Sequence, residues 1–444
     1  MTQPSEWLRA LLALSHAERQ CELLKFTAEE RSEIRFYWKL WARESQIPPP
    51  GDWQTWLLCA GRGFGKTRAG AEWVRRYAQH NYDARIALVG ANLAEARAVM
   101  VEGESGILAV CPPDNIPVYE PSLRRLSWAN GAQAFLYSAA EPESLRGPQH
   151  HIAWCDELAK WENASERASR SWDNLLLSLR LSERPRTLVT TTPRAVPLLK
   201  RLLAEEACGT ASVTHGTTGD NAAHLPERYL GAMRAQYGDT ALGRQELGGV
   251  LLEDIEGALW TRSMLEHCRA GSSGAPATRV VIGVDPPAST QGDACGIVVC
   301  ALDTDGRGRV LADCSVAKAR PERWARAVAD AAHGWNADRV IAEANQGGAM
   351  VRSVLLAAEL SLPVRLVHAS RGKTARAEPV AALYEAGRVF HAGLFPELED
   401  QLCGLMTGGA YEGPGRSPDR ADALVWALSE LMLGPRGAPR IRNV

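Results

Sequence analysis

Residues 60–67 read Ala-Gly-Arg-Gly-Phe-Gly-Lys-Thr, and this octapeptide restricts the fold more than any other stretch of the chain. It follows an apolar run, Trp56-Leu57-Leu58-Cys59, that suits a buried strand, and it opens a Pro-free run of good helix formers from Thr67 to Ala78. Strand, glycine-rich turn, Lys-Thr and helix is the order of a phosphate-cradling P-loop. Such a turn curls its N–H groups toward a polyphosphate, so it needs glycines that accept φ > 0. The helix N-terminus adds a partial positive charge. On that reading Gly61, Arg62, Gly63, Phe64, Gly65, Lys66 and Thr67 surround ATP; Lys66 reaches the β- and γ-phosphates and Thr67 ligates Mg²⁺. Two features are irregular. Ala60 stands where the pattern begins with Gly, and Arg62 lies inside the loop, a further candidate for contact with the γ-phosphate. The competing reading is a Gly-Lys-Thr in an ordinary surface turn, and what decides is whether the rest of an ATPase follows.

An ATPase of this type needs a second strand that ends in carboxylates. Ile152-Ala153-Trp154-Cys155 delivers Asp156 to the Mg²⁺ shell and Glu157, one residue on, to polarise the attacking water. Thr190-Thr191-Thr192-Pro193 ends the next strand. Hydroxyls on Thr190, Thr191 and Thr192 can sense the γ-phosphate and couple hydrolysis to movement; a plain Thr-rich strand meeting a turn is the alternative. Arg146, just before the carboxylate strand, is either a surface arginine or a finger that stabilises transition-state charge on a neighbouring subunit's ATP.

The flanking sequence suits an α/β fold with a mostly parallel sheet. Ile86–Gly90, His151–Cys155 and Thr187–Thr191 read as strands and Leu93–Met100 as a helix, while Asn130-Gly131 marks a hairpin. Residues 1–45 read as a helical lead-in with capping boxes at Ser15/Glu18 and Thr27/Glu30. The expected domains are the ATPase at 46–250, a linker at 251–278, a second α/β domain at 279–434 and a basic tail at 435–444. The ten cysteines form no Cys-x-x-Cys, which suits a reducing cytoplasm and not a zinc site. Neither a signal peptide nor a membrane span is expected. A net charge of −2 leaves nucleic acid open as a partner, because a neutral total can hide a basic groove.

Beyond residue 279 the order reads β-β-β-α-β-α-β-α. Asp285 closes the first of these strands and Glu343 the fourth; Asp419 and Asp422, three apart, share one face at the start of the last long helix. This layout resembles an RNase H-like nuclease. Two Mg²⁺ or Mn²⁺ ions about 4 Å apart clamp a phosphodiester in such chemistry, and hard dications want clustered carboxylates. Asp419 also suits a helix N-cap, and Asp293 is either a fourth acid or a turn residue. Arg371, Lys373 and Arg376 follow the fifth strand, as ligands for DNA phosphates or as a solvated loop.

Taken together, Cys59–Glu72, Trp154–Glu157, Thr190–Pro193 and Asp419–Leu428 resemble the large subunit of a tailed-bacteriophage terminase. The wording around Gly61–Gly70 and Lys373–Val389 is most similar to prophage and gene transfer agent types. The resemblance implies an ASCE/RecA-like ATPase followed by an RNase H-like nuclease. Arg62 and Lys66 would contact phosphates, Asp156 would hold Mg²⁺, and Glu157 would be the catalytic glutamate. Thr190–Thr192 would couple hydrolysis to movement, and Arg146 would act in trans. Asp285, Glu343 and Asp419 or Asp422 would hold the nuclease Mg²⁺ or Mn²⁺. It further implies double-stranded DNA, a portal protein and a small subunit as partners. The chain would form a ring on the procapsid, with a monomer in solution allowed, act in the cytoplasm and not stay in the mature particle. The competing functions are an ATP-dependent helicase or repair translocase, which would need a second RecA-like half, and a non-catalytic assembly protein.

Overall fold

The structure, a computed structural model, describes residues 34–433 apart from 163–165, 239, 271–274, 288–293, 318, 346–347 and 370–371, with scattered positions before residue 34. Arg371, Asp293, Glu30, part of the expected linker and the basic tail thus lie outside the described residues. Ser15 and Glu18 do form their capping box: Glu18 N–H donates to Ser15 Oγ and Ser15 N–H to Glu18 Oε2. The chain divides into two compact units, Met1–Leu252 and Glu253–Val444. Among the described residues no helix is long and apolar enough to cross a membrane.

In the first unit, β1 (Thr55–Ala60) is buried at every position and runs through the glycine-rich loop into α1 (Lys66–His80). Then come β2 (Arg85–Gly90), β3 (Val118–Glu120), β4 (Arg125–Ser127), β5 (Gln133–Ser138) and β6 (Ile152–Asp156). They are followed by α2 (Arg167–Ser178), β7 (Arg186–Thr191), α3 (Pro197–Ala207), β8 (Ala211–Gly216), α4 (Glu227–Tyr237) and α5 (Ala241–Glu246). The sheet order is β3-β4-β5-β2-β6-β7-β1-β8, parallel from β5 to β8. Asn130-Gly131 turns β4 into antiparallel β5, with Gly131 at φ +89. The predicted helix at Leu93–Met100 is a short α-turn, Leu93–Glu95, continued by the wider π-helical turn Ala96–Val101.

A strand period of two sends alternate residues to opposite faces. Trp56, Leu58 and Ala60 therefore join Ile86, Leu88 and the α1 face in one core. Leu57 and Cys59 join Ala87, Val89 and the apolar faces of α2 and α3 in another. Gly70 brings α1 close to β6: a Cβ there would stand 2.2 Å from the Trp154 ring. The order matters for the site, since β7 lies between β1 and β6 and its last threonines separate the loop from the carboxylates.

The second unit has α6 (Arg262–Ala270), β9 (Ala277–Asp285), β10 (Gly296–Asp303), β11 (Gly308–Asp313), α7 (Pro321–Gly334), β12 (Arg339–Glu343) and α8 (Ala349–Ala358). It continues with β13 (Val364–Val367), α9 (Lys373–Glu385), β14 (Val389–His391), α10 (Pro396–Cys403) and α11 (Asp419–Leu428). The sheet order is β13-β12-β9-β10-β11-β14; β10 runs antiparallel to both β9 and β11, β12 and β13 run parallel to β9, and β14 runs parallel to β11. Helices α7 and α8 cover one face around Trp324, Val328 and Leu355, and α11 with α9, α10 and α6 covers the other. The segment 251–278, expected as a linker, is more than a connection. Trp260 and the α6 residues Leu265 and Cys268 are buried in the second core, because a helix period hidden among polar residues packs its apolar stripe there. Two glycines let α11 sit directly on the sheet: a Cβ at Gly283 would stand 1.9 Å from Ala423 O, and one at Gly296 2.0 Å from Asp419 O.

Two candidate active sites

In the loop of the first unit, Gly63 and Gly65 adopt φ of +71 and +95. Gly61 is required by close approach, since a Cβ there would stand 2.3 Å from Leu247 O. Ala60 needs neither. It is the last residue of β1, with its methyl buried in the core, which explains why the irregular position accepts a side chain. Phe64 is buried too and pins the loop from below.

The loop's carbonyls are all held by the protein. Lys66 Nζ donates to Ala60 O (2.8 Å) and Gly61 O (3.0 Å), and Thr218 Oγ1 donates to Arg62 O (2.7 Å). Asn221 Nδ2 donates to Gly63 O (2.7 Å), Arg43 to Phe64 O, and Gln46 Nε2 to Gly65 O (3.3 Å). With carbonyls turned into the protein, the first-turn N–H groups of α1, which have no intrahelical partner, face the cavity. This cavity of about 980 Å³ is lined by Arg62, Gly63, Gly65, Lys66, Thr67 and Glu157, and also by Trp38, Trp41 and Gln46. Arg62 pairs with Glu246 of α5 and does not fold onto its own loop.

Asp156, at the end of β6, accepts from Thr190 Oγ1 at 2.6 Å; burial, with Glu157 alongside, pushes its pKa up to about 7. Glu157 takes the left-handed conformation (φ +46), a backbone cost of about 1–2 kcal/mol for a residue with a Cβ, and lines the cavity. Its Oε2 accepts from Thr192 N–H at 3.4 Å. The three threonines divide the site among them. Thr190 holds Asp156, Thr191 Oγ1 accepts from Ala159 N–H beyond Glu157, and Thr192 Oγ1 accepts from Lys66 (3.1 Å). Burial draws the Lys66 ammonium below its ordinary pKa, partly opposed by Glu157 and Asp156. Thr67, Lys66 and the Glu157 carboxylate at one cavity, with the buried Asp156 carboxylate next to it, form a set that fits a magnesium nucleotide.

Arg146 is not at this cavity. It lies in an exposed loop, paired with Glu143 at 3.1 Å. Sequence reasoning missed Arg43, Gln46, Thr218, Asn221 and Glu246. Each reaches the loop from a distant segment, and no local pattern signals it.

In the second unit, β9, β12 and α11 bring Asp285, Glu343, Asp419 and Asp422 to one end of the sheet. Burial and then the charges of Asp422 and Glu343 push Asp285 well above the usual carboxylate range. Two cations stand among the acids. Lys373 Nζ lies 2.5 Å from Asp422 Oδ2, and Arg376 bridges Glu343 Oε2 (3.1 Å) and Asp422 Oδ1 (3.6 Å) while stacking on Trp426. Trp426 Nε1 donates to Glu343 Oε2 at 2.7 Å. Of the proposed DNA ligands, Lys373 is half-exposed and Arg376 is turned inward. Among the described residues no three acids, histidines or cysteines stand close enough to hold a metal as they are. Carboxylates that repel one another and recruit two basic residues are nevertheless hard oxygen donors short of positive charge, so the donor set fits divalent cations.

Two family models match. Residues 57–267 match the terminase large subunit, T4likevirus-type, N-terminal model, and residues 282–431 match the terminase RNase H-like domain. No curated protein matches the chain. Among solved structures, the ADP-bound large terminase of a thermophilic bacteriophage shares 11% identity over 91% of this chain and 99% of its own, with a TM-score of 0.41. The large terminase of bacteriophage HK97 shares 15% over 85% and 91%, at 0.38. The large terminase nuclease of thermophilic phage G20c shares 18% over 39% and 98%, at 0.30.

Proposed function

The chain belongs to the family of terminase large subunits, and we propose that it pumps double-stranded DNA into a procapsid with ATP and cuts the concatemer with two divalent ions. The family joins an ATPase and an RNase H-like nuclease that package and cut DNA. The observation that carries the finer reading is the convergence of Lys66, Thr67 and Glu157 on the loop cavity, with Thr192 bonded to Lys66 and Glu157 and the buried Asp156 behind them, and a separate acid centre in the second unit.

We assign residues 46–250 to the ATPase and 279–434 to the nuclease. Thr67 and Asp156 would hold Mg²⁺, which when bound neutralises the β- and γ-phosphate oxygens. Lys66 leaves Ala60 O, Gly61 O and Thr192 for the phosphates, and Glu157 orients the attacking water. Thr192, touching both Lys66 and Glu157, reports phosphate occupancy to the end of β7. Asp285, Glu343 and Asp422, with Asp419 beside them, would hold Mg²⁺ or Mn²⁺, which when bound activates water and stabilises the leaving oxygen. Asp422 is the better third ligand, because it shares Arg376 with Glu343.

Arg146, exposed and away from its own cavity, suits a finger acting on the next subunit of a ring. The portal and a small subunit would be its partners, and the cytoplasm of the host or producing cell its place of action. The prophage and gene transfer agent type is supported by the sequence around Gly61–Gly70. A two-motor helicase is disfavoured by the antiparallel β9-β10-β11 meander where a second RecA-like sheet would be parallel.

Lys66→Ala should abolish ATP turnover and leave metal-dependent plasmid nicking, and Asp285→Ala should do the reverse. Loss of both activities in either variant, with native melting, would refute two separable centres.

A further inference from the structure

The acid centre uses its nearest cations inwardly, with Lys373 and Arg376 paired to Asp422 and Glu343. At the other end of the same sheet the balance is reversed. Arg279, Arg339 and Arg365 all converge on one carboxylate, Glu430, at 2.8, 2.8 and 2.7 Å. Glu430 is 12% exposed and the arginines 35%, 41% and 56%. One arginine in bidentate contact satisfies a carboxylate. Three carry two more positive charges than Glu430, one more when Asp338 is counted, whose Oδ2 accepts from Val280 N–H beside Arg279, and they leave donors that Glu430 does not use. Pinning the π-helical turn Ser429–Leu433 to the sheet does not need that surplus.

The placement is equally specific. Arg279 shares the β9 face with Asp285, and Arg339 the β12 face with Glu343, because both pairs are separated by even numbers of residues. Arg365 pairs with Ile341 across to the edge strand β13, where it is the most exposed of the three. At about 3.3 Å per residue, the arginines lie roughly 13–20 Å from the acids along the strands. That spans about four to six steps of 3.4 Å along a DNA strand.

We propose that Arg279, Arg339 and Arg365 form a second, non-catalytic phosphate site that grips the DNA backbone several base pairs from the cut, with Glu430 as an internal anion that competes with the phosphates for them. This rests on the DNA-cutting reading above. DNA is favoured over an acidic protein partner because the site lies within about 13–20 Å of the acid centre along the same strands.

The test uses the full chain and Mn²⁺-dependent cleavage of a linear duplex over a salt series. In the double variant Arg339→Gln/Arg365→Gln, Arg279 is kept to hold Glu430. Its KM for DNA should rise about tenfold at unchanged kcat, and the slope of log(kcat/KM) against log salt should fall by about 1.8, at ~0.9 per lost phosphate contact. Glu430→Gln should move both quantities the other way, which a purely structural network would not do. Melting temperature and ATP hydrolysis report folding. Unchanged KM and slope in a folded double variant, or weaker DNA use by folded Glu430→Gln, would overturn the proposal. If the wild type cuts no DNA, the cutting reading fails instead; duplex binding by anisotropy in Ca²⁺ then tests the site with the same variants and the same directions.

Discussion

Gly283→Ala tests whether contact between α11 and the sheet sets the acid centre. The new methyl would stand 1.9 Å from Ala423 O and 2.8 Å from Ala423 C. Both atoms are helix backbone, so no rotamer change relieves the clash. Reaching an ordinary contact of 3.4 Å moves α11 outward by about 1.5 Å. Ala423 adjoins Asp422, so that carboxylate moves with it. Overpacking of this kind costs about 1–3 kcal/mol, and a misplacement near 1 Å costs catalysis about 100-fold. Metal-dependent plasmid nicking should therefore fall about 100-fold, with a melting transition lowered by several degrees, while ATP hydrolysis in the same preparation stays at the wild-type rate. Nicking within twofold of wild type would refute the idea that this glycine contact places the acids.

Lys373→Met should tighten Mn²⁺ binding to the DNA-free chain by about tenfold in calorimetry, ~1.4 kcal/mol, since the ammonium competes for Asp422; equal or weaker binding would count against that competition. Arg146→Ala should lose ATP turnover but regain part of it when mixed with Lys66→Ala subunits; no recovery at any mixing ratio removes the trans role. Burial, with Arg85 and His151 nearby, holds His150 down to about 4 from an ordinary 6.5, beside Tyr137 and Ser178. The unfolded chain then binds the extra proton first, so stability present above pH 6.5 is lost as pH falls toward 4. His150→Gln should flatten that fall in a melting series from pH 7 to 4, and an unchanged slope would exclude His150 as its source.

The strands and the acids at their ends were legible because buried parallel strands read as apolar runs and the glycine-rich loop has a fixed order. Glu343 closes β12, as its place in the sequence predicts. Other features carried no local signal. β14 is three residues long, and α6 hid within a polar stretch. The ties from Arg43, Asn221 and Glu246 to the loop join segments far apart in sequence. Gly372-Lys373-Thr374 repeats the loop's Gly-Lys-Thr at the start of α9, yet Lys373 pairs with Asp422 there. The tripeptide alone is not informative; its setting after a buried strand and the glycines Gly61 and Gly63 is. Arg376, expected as a DNA-phosphate ligand or in a solvated loop, is turned inward instead, because a sequence does not show that Trp426 and two acids draw it there.

Lys66 has three partners within its own surroundings: Ala60 O, Gly61 O and Thr192 Oγ1. On the proposed reading, nucleotide binding is therefore a swap and not an addition. The lysine gives up three contacts to gain the phosphates, and the net affinity is the smaller for it. The same swap runs backward after hydrolysis, when the ammonium returns to the carbonyls as the spent nucleotide departs. A resting state that satisfies its own cation makes product release easier, which favours turnover over tight holding in a machine that must fire repeatedly along a DNA molecule.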